Sequence, residues 1–201
     1  MTGYRWVLPH PWKQVRLDGS MKDRVREIMD DVMSRVPVSA SPDEVAQQRI
    51  KLEGTLLSQL RSAQDHGGVD FYFPADTMHG VEVTASVVVS EVIPDAMAPE
   101  GGTGRALAAL LDAEGASPVT VADTVWVRTE QTIVREADAD VDAQLSGRSV
   151  VYSTAAPDDE RRWLVVAFST PGDGDPTSEF TGLMVELFDA MMSTWRWETV
   201  A

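Results

Sequence analysis

The segment from Arg148 to Pro171, "RSVVYSTAAPDDERRWLVVAFSTP", constrains the fold more than any other stretch, because a long segment with one apolar face follows it at once. Two runs rich in β-branched and aromatic residues flank "APDDERR", whose Pro and Asp residues suit a turn, so they read as two neighbouring strands. "GDPTSEF" then opens a helix, with Asp175 placed to cap it, Pro176 at its first position and Glu179 near the positive end of its dipole. Phe180, Leu183, Met184, Leu187, Phe188, Met191 and Met192 give that helix one apolar face. "STWRWETV" reads as a last short strand.

The rest of the chain follows the same logic. "YRWVLPHPW" reads as a short edge strand ending at Pro9 and Pro11. "MKDRVREIMDDVMSRV" sets Val25, Ile28, Met29, Val32, Met33 and Val36 on one helical face. "SPDEVAQQRIKLEGTLLSQLRSAQDHGG" opens on a capping box of Ser41 and Glu44 with Pro42 between them. Its apolar face is Val45, Leu52, Leu56 and Leu60, widened by Ile50 and Leu57. "VDFYF" and "VEVTASVVVSEVI" read as strands around the loop "PADTMHG", the second burying Val81, Val83, Ala85, Val87 and Val89. "TGRALAALLDAEGA" predicts a short helix, and "SPVTVADTVWVRTEQTIVREA" further strands around Trp126 and Ile133. Tight loops between strands and helices that bunch rather than alternate predict an α+β fold, a mainly antiparallel sheet flanked by helices. At 201 residues it reads as one globular domain, with the N-terminal strand and helical pair over 1–68 and the sheet with its terminal helix over 69–201.

Charge narrows the function. Thirty-two acidic residues against 17 basic ones give a formal charge of −15, which repels nucleic-acid phosphates and anionic lipid surfaces. The half from residue 98 onward holds 18 of the acids and 7 of the bases, so a basic protein partner would be steered there. The chain has no cysteine, hence no disulfide framework, and no segment of the roughly 20 apolar residues that span a bilayer. The N-terminus lacks the pattern of a secretory signal, and a cytoplasmic location is the expectation.

Motifs for chemistry are sparse. His10, His66 and His79 stand at spacings unlike those of zinc enzymes, and His66 sits at a helix end where its ring can bond terminal carbonyls. No "GxSxG" elbow is present, and "PEGGTGRA" lacks the lysine of a phosphate loop. From Asp173 a calcium loop would need glycine where Ser178 stands and a glutamate where Met184 stands. No catalytic residue, cofactor site or metal site is expected. Two surfaces remain. Glu136, Asp138, Asp140 and Asp142 of "EADADVDAQ" read as a solvated crossover that, with Asp158, Asp159 and Glu160, adds charge to an acidic docking half. Trp163, Trp195 and Trp197 could pair as core or as one wall of a pocket.

The tail "RSVVYSTAAPDDERRWLVVAFSTPGDGDPTSEFTGLMVELFDAMMSTWRWE" resembles the closing unit of the PsbP-like superfamily, in which a hairpin precedes a long helix and a short final strand; Ser193 to Trp197 match that ending. "WVLPHPWKQVRLDG" resembles the opening of actinobacterial proteins of similar length. The resemblance covers about the last 80 residues well, and implies an α/β/α sandwich with accessory or binding roles and no catalysis. The functional expectation is therefore a non-enzymatic, protein-binding accessory protein that docks through a sheet edge or its acidic half. The alternative is a small-ligand binder or enzyme with a Trp- and Met-lined pocket between helix and sheet.

Overall fold

The structure, a computed structural model, describes residues 2–35, 41–92, 102–135 and 145–199. Its elements run β1 (Thr2–Arg5), β2 (Trp12–Arg16), α1 (Met21–Met33), α2 (Pro42–Asp65), β3 (Gly68–Pro74), β4 (Ser86–Val92), α3 (Gly102–Leu111), β5 (Ala116–Val121), β6 (Thr124–Arg135), β7 (Leu145–Ala156), β8 (Asp159–Thr170), α4 (Glu179–Ser193) and β9 (Arg196–Thr199). Seven strands form one antiparallel sheet in the order β2-β3-β4-β8-β7-β6-β5, and β1 pairs with β9 in a separate ribbon. The expected α+β class with a mainly antiparallel sheet is what forms.

Strand alternation sorts side chains onto two faces. Val87, Val89, Val150, Tyr152, Leu164, Val166 and Phe168 point to the face covered by α4 and the β1–β9 ribbon, and they build the largest core with Phe188, Met191, Met192 and Trp195. Phe168 and Phe188 stack there with ring centroids 4.8 Å apart. On the other face Val15, Leu17 and Phe71 pack under α1 and α2 through Val25, Ile28, Met29 and Leu60. A small third cluster sits at the far end of that face, where Ala106 of α3 meets Ala155 and Trp163.

Several local expectations change. The cap of α4 is Ser178, whose hydroxyl accepts from the Thr181 amide at 3.1 Å and donates to Asp173 at 2.7 Å. Asp175 instead accepts from Thr177 in the preceding turn, because that turn spends its carboxylate before the helix begins. The buried stripe of α4 is Thr181, Val185, Phe188, Met191 and Met192, rotated so that Leu183 is half exposed. Ser41 makes no side-chain cap to α2. That helix is 24 residues, about 36 Å long at ~1.5 Å per residue, and overruns the five- and seven-residue strands beneath it. Leu60 is fully buried, while Ile50 and Leu52 stand out in solvent. Trp6 to Pro11 form the crossing from the ribbon to β2 rather than a strand, because Pro9 and Pro11 offer no amide to a ladder. Val81 closes a tight turn with Met78, so the long second run pairs as a strand only from Ser86.

Candidate functional site

The two faces of the sheet are not equally covered. On the α2 side, Ser86 and Val88 of β4, Ala167 and Ser169 of β8, and Ser149 and Val151 of β7 are all half-buried, because α1 and α2 stand over β2–β3 and α3 over the opposite end. Among the described residues, what remains is a trough. One cavity of about 540 Å³ lies between Leu56 and Gln59 of α2, Phe71 and Phe73 of β3, Ser169 of β8 and Ile133 of β6. A second of about 560 Å³ continues along α2 toward His66 over Val88, Ser90 and Ala167, sharing Gln59, Phe71 and Ser86 with the first. These volumes fall in the range of small-molecule sites.

The chemistry of the trough is neutral. Four hydroxyls on and around its floor are engaged in the fold: Ser86 and Ser169 bond each other at 3.1 Å, Ser149 donates to the Phe168 carbonyl and Thr170 to the Thr84 carbonyl. His66 carries its Nδ1 2.6 Å from the Ser62 carbonyl, as its place at a helix end suggests. Gly147 lets β7 run close to the chain leaving β8, since a Cβ there would collide with the Thr170 carbonyl oxygen and with Pro171.

The α4 face carries charge instead. Asp189 of α4 receives Arg128 in a bidentate pair at 3.0 and 2.9 Å and the Tyr152 hydroxyl at 2.8 Å, and Glu130 bridges Arg128 to Arg148. Burial works against the Arg128 cation, but the hydrogen bonds and charge of Asp189 outweigh it and raise its pKa. Burial, with the Asp189 hydrogen bond, pushes the Tyr152 phenol up as well. Beside this network a cleft of about 630 Å³ opens among the β5–β6 turn, Tyr152, Asp189, Arg196 and Trp197. Deeper in, the buried carboxylate of Asp70 accepts from Tyr4 and, at 2.8 Å, from Gln14, which ties the ribbon to the main sheet.

Glu136, Asp138, Asp140 and Asp142 lie outside the described residues, between Arg135 and Leu145. Asp158, Asp159 and Glu160 belong to the β7–β8 hairpin at the other end of β7, and 12 residues of strand span about 40 Å at ~3.4 Å each. Arg135 and Leu145, the described residues flanking the acidic segment, thus lie at the opposite end of β7 from this hairpin. The hairpin acids also have internal partners: Asp158 accepts from Thr2 and from the buried Arg162, Asp159 from Arg161, and Glu160 from Thr103. Desolvation would raise the Asp158 pKa, but the hydrogen bonds from Thr2 and Arg162 and the Arg162 charge hold it below the ordinary value.

The tryptophans do not form one wall. Trp163 packs under α3 on the trough face, whereas Trp195 and Trp197 meet each other at 5.7 Å on the α4 face, so the sheet stands between them. The cause is strand parity: Trp163 precedes Leu164, the first of the core-facing residues of β8, and therefore points the other way. Trp195 is fully buried core, and Trp197 lines the charged cleft while donating to Thr124 at 3.0 Å.

The trough residues themselves escaped prediction. Their signal is weak but readable in retrospect, since Ser86 and Ser90 of β4 and Ala167 and Ser169 of β8 put small side chains opposite the large core residues, with Val88, Val165 and, toward the α3 end, Val92 and Trp163 as the larger members of that face. No protein-family model matches the chain, and no curated protein or solved structure matches it.

Proposed function

We propose that this is a non-enzymatic binding protein, cytoplasmic and accessory in role, that docks a protein partner through an apolar segment laid in the trough. The observation carrying this reading is the half-covered face itself, where a neutral, roughly 540 Å³ cavity lies open on a molecule with a charge of −15. Apolar surface left uncovered at the centre of a sheet marks an interaction site. Ile133, 41% exposed on its far side, extends it. The free sheet edges make poorer docking sites: β2 has five residues and carries Lys13 and Arg16, and β5 carries Pro118, both of which discourage strand addition. The commitment of Ser86, Ser149, Ser169 and His66 to structural hydrogen bonds supports a role without catalysis. The resemblance to accessory proteins points the same way.

A photo-crosslinking amino acid at Leu56 tests it. The expected result is a discrete polypeptide adduct from cell lysate that is absent with the same group at Leu183 on the opposite face and absent when Ala167→Trp fills the trough. Equal adducts at both positions would refute the reading. The cavity volume also suits a small neutral ligand, and a compound released on denaturation with no polypeptide adduct would favour that alternative.

A further inference from the structure

Resting on that binding role, we infer that the occupant of the trough is an amphipathic helix of the partner, apolar on the buried face and basic on the outer one. The backbone groups of β4, β8 and β7 are already paired in antiparallel ladders, interrupted only by a register shift at Ala155–Ala156 near the β7–β8 turn, so the trough floor presents side chains and no free amide or carbonyl row. An extended peptide laid on that floor would bury its own N–H and C=O groups without partners, each at a penalty, whereas a helix satisfies them internally. The dimensions agree. Three strands at ~4.8 Å spacing offer a floor about 10 Å wide, the diameter of a helix, and Ala167 and Ser169 are small enough for close approach. The seven residues of β4 give a length of about 23 Å at ~3.3 Å each, room for roughly 15 helical residues.

The molecule supplies its own template. On the opposite face α4, 15 residues long, packs on the same strands β7 and β8 through one apolar stripe. The occupant is its counterpart, completing a helical layer that α2 and α3 leave open. Charge selects the rest of it: among the described residues lining the two cavities His66 is the one titratable group, so that lining is neutral, while the field of a −15 chain draws cations to the outer face. The same field opposes a second copy of this chain as the occupant.

Selection from a display library of random peptides of roughly 16 residues, long enough for a four-turn helix, tests this on the intact protein. Enriched sequences should repeat apolar residues at i, i+3, i+4 and i+7 with Lys and Arg between them, and gain helical circular dichroism on binding. They should bind at least tenfold more weakly to Ala167→Trp, and more weakly as salt rises from about 0.05 to about 0.5 M. Ser169→Phe, checked for an unchanged melting temperature, replaces the first variant should that one fail to fold. Peptides with an alternating, period-two pattern that are lost in the same variants would overturn the helix and leave the binding role standing. Peptides that fail to distinguish wild type from either filled variant, or no enrichment at all, would overturn both.

Discussion

Gly147 and Gly104 carry the same side chain and opposite constraints. A Cβ at Gly147 would strike the Thr170 carbonyl oxygen and Pro171, backbone that cannot rotate away, while one at Gly104 on α3 meets nothing within 4 Å. Gly147→Ala should therefore cost about 2 kcal/mol or more in urea unfolding, and Gly104→Ala should be neutral or stabilise by up to about 1 kcal/mol. Asp189 is the acceptor shared by Arg128 and Tyr152, so Asp189→Ala leaves two partly buried donors without it. The expected loss is about 2 kcal/mol by the same assay. These residues were silent in the sequence, because a glycine in a strand or an aspartate on a helix declares its partner only when distant elements meet. His66 was legible, since helix end and ring lie within one turn.

Elements show which sequence signals are local and which are not. The α4 helix was legible because its apolar spacing and its start lie within a single stretch, although its cap moved to Ser178 and its stripe rotated. Ser178→Ala should cost about 1 kcal/mol in thermal or chemical unfolding, since the hydroxyl holds the Thr181 amide and is itself braced by Asp173. Ser41→Ala should change stability by a few tenths at most, about the value of an unengaged surface residue, because Ser41 makes no side-chain cap. The opposite ranking would show that the capping box at α2 forms in solution. The unburied Ile50 and Leu52 follow from the mismatch between a 24-residue helix and the short strands below it, which no helical periodicity reports.

At the scale of the whole molecule, charge and burial set the response to pH. A hydrogen bond from Ser178 holds the Asp173 carboxyl below its ordinary value, and a backbone hydrogen bond from Arg161 does the same at Asp159. A carboxyl depressed in the folded state contributes stability above its unfolded pKa of about 3.9, and that contribution is lost as pH falls through the lowered value. The melting temperature should fall as pH drops below about 4, and Asp173→Asn should make that fall shallower. In the other direction, burial raises the phenols of Tyr4, Tyr72 and Tyr152. Their folded forms keep protons that the unfolded chain releases above about pH 10, so stability should decline there, with phenolate absorbance rising in step with unfolding.

The sequence by itself determined the α+β class, the hairpin of β7 and β8, the helices and the acidity, because each depends on periodicity, turn residues or a count along the chain. Only the tertiary structure decided which face each strand turns to which helix. That choice put Trp163 on one side of the sheet and Trp195 with Trp197 on the other, and separated the β7–β8 hairpin from the anchors of the acidic segment by the length of β7. Among the described residues it also left the centre of one face without a helix, and the physical reason is non-local: coverage depends on where α1, α2 and α3 come to rest over strands far from them in the chain, against side chains too small to announce themselves.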